Sequence, residues 1–415
     1  MTTSRLGRAA ALGLALLIAG TAAPPVAADT ASDLDDIRRQ TAQVRGLEPR
    51  GDVPFEIVDR DAFRRRLSAA YEDREGIREL LIGQKFLVAL GLLSVDFDLR
   101  SAVPDALGDG VAGFYSRREK KMFLVSSAPK LTGDDKITVA HEFTHALQDQ
   151  HFDLTALTVA TPEDDSDRYT ALRAVIEGDA TLTMLVWGRE FLSPEEKAAL
   201  LGRDRSEAEA RRARLPLALR ESFSFPYLEG GRFASSLYRD GGFEAVNGAF
   251  REPPRSTEQV IHPEKYLARE APRSVSMPPL AEGLGATWRM LRTDVMGELD
   301  LRALIGQFAP GAADDAAAGW GGDRYAMLED ADGRLIIVLN TLWDTEADAA
   351  EFYNAYAPTV ATRFGPGQRL TLDEPSRVRW STPNGPIQLL KTGDRVLVIY
   401  APDIEALELT AAQFR

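Results

Sequence analysis

The sequence predicts an α+β protein: a helix-rich domain with a small edge-stranded sheet over residues 29–283, then a C-terminal α+β module over 284–415. Three observations predict it. Apolar residues recur at helical spacing through Glu75 to Leu93 and again from Tyr169 to Phe191. Between them, Val111 to Tyr115 and Lys121 to Val125 flank the polar run Ser116-Arg117-Arg118-Glu119-Lys120, a hairpin pattern. Beyond Leu284, short β-rich runs alternate with helical ones. A length of 415 residues suits two domains. The 44% hydrophobic and 27% charged residues allow a packed core and argue against wholesale disorder.

Residues 1–28 read as a cleaved signal peptide. Arg5 and Arg8 open it, the apolar stretch Ala9 to Ala19 follows, and Val26 and Ala28 occupy the −3 and −1 positions before Asp29. The apolar stretch is short for a membrane span, and no second stretch of spanning length follows, so no stable membrane insertion is expected after cleavage. The expected location is secreted or periplasmic. The absence of cysteine excludes disulfides, thiolate ligands, a cysteine nucleophile and a lipidated N-terminus. A net charge of −14 argues against nucleic acid and anionic lipid as partners.

Next, Val53 to Val58 reads as a strand, and Arg60 to Tyr71 and Glu75 to Leu93 as helices. Thr132-Gly133-Asp134-Asp135 starts a helix with a capping side chain and acids in the first turn. Glu163-Asp164-Asp165-Ser166-Asp167 starts another, continuing to Phe191. The charged stretch Ser193 to Arg214 reads as a solvated helix, and the Gly-, Pro- and aromatic-rich Phe223 to Pro254 as long ordered loops with short helices. Later, Tyr325 to Leu328 and Leu335 to Leu339 flank a turn at Asp330-Ala331-Asp332-Gly333. A helix from Glu346 is expected to stop at Pro358. Val378 to Ser381, Ile387 to Leu390 and Val396 to Tyr400 read as strands, with a last helix from Ile404, while Trp320 to Tyr325 reads as a domain-junction turn.

The chemistry concentrates in His141-Glu142-Phe143-Thr144-His145. Histidines four apart on a helix lie one turn apart on the same face, so both imidazoles reach one ion, and Glu142 lies beside them to act on a water. Two of the four histidines fall in this motif, which disfavours the plain alternative of two ordinary surface histidines. A third ligand is required, and two residues compete. Glu177 sits on the otherwise apolar run Ala174 to Ala180, where an unpaired carboxylate is costly to bury, beside the small Gly178 and Ala180. His151 follows His141 by ten residues, the spacing of a longer three-histidine motif. That motif needs glycine where this chain has Gln148. A continuous helix would carry His151 about 15 Å along the axis. Glu177 is the preferred ligand.

On these residues the chain resembles the zincin metallopeptidases, and Glu177 on a following helix makes it similar to their gluzincin branch. The resemblance covers Val111 to Val186. It implies a zinc ion held by His141, His145 and Glu177, with Glu142 as general base for a zinc-activated water and then proton donor. It also implies an edge strand binding extended peptide, hence a peptide or protein substrate. Gluzincins often place an aspartate four residues after the ligand glutamate. Here that position is Thr181, and Asp179 lies two residues on. A later histidine or tyrosine commonly stabilises the oxyanion in zincins, and His262 or Tyr266 is expected in that role. Two rival readings stand beside the peptidase: a zinc hydrolase of non-peptide amide or ester bonds of the envelope, and a non-catalytic binding protein with a structural zinc.

Overall fold

The computed structural model describes residues 28–71, 74–102, 111–126, 130–202, 209–210, 213–365, 368–371 and 376–414. The expected signal peptide lies, but for Ala28, outside the described residues, as does part of the charged stretch after Ser193. Among the described residues no helix is long and apolar enough to cross a membrane.

The architecture is α+β. Helix α1 (Ala28–Arg45) leads to strand β1 (Phe55–Val58), helices α2 (Arg60–Tyr71) and α3 (Arg74–Ala89), and the hairpin β2 (Gly113–Ser116) and β3 (Lys121–Val125). These strands form a mixed sheet of order β1-β3-β2. β1 runs parallel to β3 with Phe55 opposite Met122, β2 runs antiparallel to it, and β2 is left at an edge. Helix α4 (Gly133–Phe152) packs across this sheet. Thr132 starts it through a reciprocal capping box with Asp135, so orphan N–H groups of the first turn find acceptors. Val139, Phe143 and Leu147 of α4 join Tyr115, Met122 and Leu124 of the hairpin and Leu34 and Ile37 of α1 in one core. Asp153, in the left-handed region at φ 49, ends α4, and its side chain caps the short α5 (Leu154–Ala160).

Helix α6 (Ser166–Phe191) is capped by Asp165, whose side chain accepts from the Arg168 amide. The exposed α7 (Pro194–Leu201) follows, with none of its residues buried. The expectation of loops over Phe223 to Pro254 fails. Most of that stretch belongs to α8 (Leu217–Arg251), a 35-residue helix with Pro226 inside it and a kink at Gly241 and Gly242. Local helix breakers lose here to packing: Phe225, Phe233, Leu237 and Phe250 of α8 join Ala171, Val175 and Leu182 of α6 in a shared core. Short helices α9 (Thr257–Ile261) and α10 (Pro263–Leu267) follow, and Val260 and Tyr266 pack into the same core.

After α11 (Leu280–Leu284) comes an antiparallel seven-stranded sheet of order β4-β5-β6-β10-β9-β8-β7. Its strands are β4 (Arg289–Asp294), β5 (Trp320–Glu329), β6 (Leu335–Trp343), β7 (Gln368–Thr371), β8 (Arg377–Thr382), β9 (Gly385–Thr392) and β10 (Arg395–Tyr400). Helices α12 (Gly297–Gly306), α13 (Ala313–Ala317), α14 (Glu346–Phe364) and α15 (Ile404–Ala412) accompany it. Both faces are covered, which is why the central strands read as continuous apolar runs. Met327, Ile337 and Val398 meet Phe352 and Tyr356 of α14 on one face; Ala326, Ile336 and Ile399 meet Leu280 and Leu407 on the other. Ile82 of α3, with Leu90 and Leu92, packs into the first of these cores.

Two local expectations are corrected. Trp320 to Tyr325 is the start of β5, with Trp320 and Asp323 buried, not a turn. Pro358 does not end α14, which continues to Phe364 because Val360 and Phe364 bury against the sheet; Gly365 at φ 78 follows it.

Candidate metal centre

Helix α4 buries one face against the sheet and presents His141, Glu142 and His145 on another, lining a cleft of about 220 Å³. β2 lines the cleft through Gly113 and Tyr115, and α6 lines it through Tyr169, Arg173 and Glu177. Glu177 enters from α6 because α6 crosses α8 at very short range. A Cβ on Gly178 would lie 2.1 Å from the Gly230 carbonyl oxygen, and one on Gly230 would lie 2.3 Å from that of Ala174. Only two glycines permit this crossing, and it carries Tyr227 of α8 to the cleft wall.

Three donor atoms converge. His141 Nε2 and His145 Nε2 are 3.1 Å apart, and each lies 3.3 Å from Glu177 Oε2. Such a triangle of two imidazole nitrogens and a carboxylate oxygen is a group able to hold a metal ion. Its edges match a tetrahedral site with bonds of about 2.0–2.1 Å, whose ligand atoms stand about 3.3 Å apart.

The next layer fixes the ring of His145. Gln148 Oε1 lies 2.9 Å from His145 Nδ1, while Gln148 Nε2 donates to Ile176 O and to Asp179 Oδ2, both at 2.9 Å. With its amide nitrogen engaged by two acceptors, Gln148 turns its oxygen to His145, so Nδ1 carries a proton and Nε2 is the ring nitrogen turned to Glu177 and left to hold a metal. Asp179 in turn pairs with Arg45 at 2.7 Å, both side chains fully buried. Arg45 also donates to Asn247 Oδ1 at 2.7 Å and lies over the Phe243 ring at 4.7 Å. A chain of contacts therefore runs from α1 through α6 to the metal face of α4.

The electrostatics separate the two glutamates. Burial pushes the Glu142 carboxyl up, offset in part by the neighbouring histidines and by the Tyr115 amide, which donates to it. Burial also acts on Glu177, but the two histidines outweigh it and hold that carboxyl well below the usual range. The Glu177 charge, then burial, pushes the Tyr227 phenol up, so it stays protonated. Its ring lies 6.2 Å from that of His141.

The other expected residues stand apart from this cleft. His151 lies in the last turn of α4, as a helix continuing past Gln148 requires, and its Nε2 is 2.8 Å from the Glu48 carbonyl oxygen. His262, expected as oxyanion stabiliser, does not line the cleft and pairs with Glu298 at 3.0 Å. Tyr266 donates to the Glu252 carbonyl and packs edge-on to Phe233. Tyr227, Gln148 and Arg45 were missed. Tyr227 was hidden in the stretch read as loops, and Gln148 was noted only as an absent glycine.

Residues 287–411, the C-terminal sheet and its helices, match a family model described as "Domain of unknown function (DUF8575)". No curated protein sequence matches the chain. A crystal structure described as "a putative hydrolase with a novel fold from Chloroflexus aurantiacus" aligns with 64% of this chain and 96% of its own, at 16% identity and a TM-score of 0.40. A likeness that weak carries no argument about fold or activity.

Proposed function

We propose that the chain is an exported zinc-dependent metallopeptidase of the zincin type, with His141, His145 and Glu177 holding the ion. The observation that carries this reading is the convergence of His141 Nε2, His145 Nε2 and Glu177 Oε2 with Glu142 beside them in an open cleft. Zinc fits the donor set: two imidazoles and one carboxylate, no thiolate, and one side left free. When bound, zinc supplies Lewis acidity, which polarises a carbonyl and makes a water acidic near neutral pH.

This chain's own residues do the rest. Glu142 takes a proton from the attacking water and returns it to the leaving nitrogen, and burial raises its carboxyl toward the range that suits both tasks. Gln148 holds His145 in the tautomer that leaves Nε2 free. Tyr227, protonated and beside His141, takes over the oxyanion role expected of His262. The edge of β2 that faces away from β3, unpaired among the described residues, offers backbone groups to an extended peptide, which favours peptides over other amides and esters. A purely structural zinc has no use for Glu142 or for a cleft. Residues 1–28 direct export in this reading, so mature protein collected outside the cytoplasm begins at Asp29.

The test is hydrolysis of an unfolded protein by purified chain. Activity should vanish with a chelator, return with zinc, and fall by several orders of magnitude in Glu142→Gln while zinc stays bound. Full activity without metal, or near-normal turnover in Glu142→Gln, would sink the proposal.

A further inference from the structure

Two arginines line the same cleft, and neither is neutralised there. Arg117, just past β2, donates to Leu154 O and Thr158 Oγ1, both uncharged. Arg173 lies on α6 four residues before Glu177, one helical turn along the same face. Among the described residues no carboxylate stands within ion-pair distance of Arg173. Among the described residues, the acids lining the cleft are Glu142 and Glu177, both at its metal end. In a chain of net charge −14, two guanidiniums that line one cleft beside a metal-binding triangle, with no ion-pair partner among the described residues, call for an anion from outside.

Resting on the peptidase reading, we infer that the cleft selects substrates carrying a carboxylate about one helical turn from the scissile bond, held by Arg173 with Arg117 adding its charge. A guanidinium presents a planar fork that matches a carboxylate two bonds at a time. Helical side chains lean toward the N-terminus of their helix, which for Arg173 is the side away from Glu177. The carboxylate thus lies beyond the reacting carbonyl and does not compete for the metal. Its source is either the free C-terminus of a peptide or an acidic side chain.

The experiment measures binding, so it stands apart from turnover. Zinc-loaded protein is titrated by calorimetry with N-acetyl-phenylalanine and with its amide, then with N-acetyl-glutamic acid α-amide and N-acetyl-glutamine amide. Within at least one pair the acid should bind tenfold or more tighter, and that pair identifies the source. In Arg173→Gln, with zinc content and circular dichroism unchanged, the acid should fall to the level of its amide; a charge-assisted bond to a carboxylate is worth roughly 10- to 100-fold. Arg173→Lys should restore part of the preference. Equal binding within both pairs overturns the inference. So does a preference that survives Arg173→Gln, because the carboxylate is then on the metal. If the acid preference holds and no peptide is cleaved, the peptidase reading fails and the anion subsite stands.

Discussion

Arg45 and Asp179 pair at 2.7 Å with both side chains fully buried, and removing either charge strands the other. Arg45→Met leaves a buried carboxylate without its cation, a change that costs roughly 3–5 kcal/mol. Replacing both, Arg45→Met with Asp179→Leu, leaves no stranded charge, and stability should return to within about 1–2 kcal/mol of the parent because apolar packing replaces the pair. The double variant does not restore the metal site. Gln148 Nε2 then keeps only the Ile176 carbonyl as acceptor, so its amide is held less firmly against His145. Loss of such outer support typically lowers metal affinity roughly 10- to 100-fold. Urea unfolding of the zinc-free protein, followed by circular dichroism, reads the first quantity, and competition with a chelating dye reads the second. The reasoning is refuted if Arg45→Met costs less than about 1 kcal/mol, or if the double variant binds zinc as tightly as the parent.

Other outcomes follow from the same geometry. Glu177→Ala should abolish stoichiometric zinc binding while His151→Ala leaves it intact, read by metal analysis after dialysis; the reverse result would return the third ligand to His151. Tyr227→Phe should lower turnover about 100-fold and His262→Ala should leave it unchanged. Swapped results would restore the oxyanion role to His262. Asp300 has its carboxyl raised to about 7, by burial first and then by Asp323 and Asp294. A folded value above the unfolded one, near 4, means a contribution to stability that is complete below pH 4 and lost as pH rises through 7. Asp300→Asn should therefore melt above the parent at pH 8 and lose that advantage at pH 5. An equal difference at both pH values would exclude this origin.

The sequence made the metal face legible because its signals are local. Thr132 and Asp135 start α4, and the spacing of His141 and His145 follows from helix geometry alone. Glu177 was legible through cost: a carboxylate in an apolar helical run needs a partner. The β2–β3 hairpin and the strands around β9 and β10 were likewise visible as alternation bounded by turns. What escaped depends on contacts far apart in sequence. Pro226, Gly230 and Gly241 read as breakers, yet Gly230 is there so that α8 can touch Gly178, and that crossing delivers Tyr227. Pro358 read as a stop, and burial of the following turn overrode it. Arg45 lies 134 residues from Asp179 in the chain, and nothing near either of them announces the pair. His262 enters the sequence reading through the zincin resemblance, and a resemblance does not tell a histidine where it points.

The most direct measurement is a crystal structure of zinc-loaded protein with anomalous data collected at the zinc edge. We expect one strong peak per chain, about 2.0–2.2 Å from His141 Nε2, His145 Nε2 and a Glu177 oxygen, with Glu142 not bound to the ion. A peak ligated instead by His151 or His262, or no peak at this triangle with zinc in excess, would contradict the central claim.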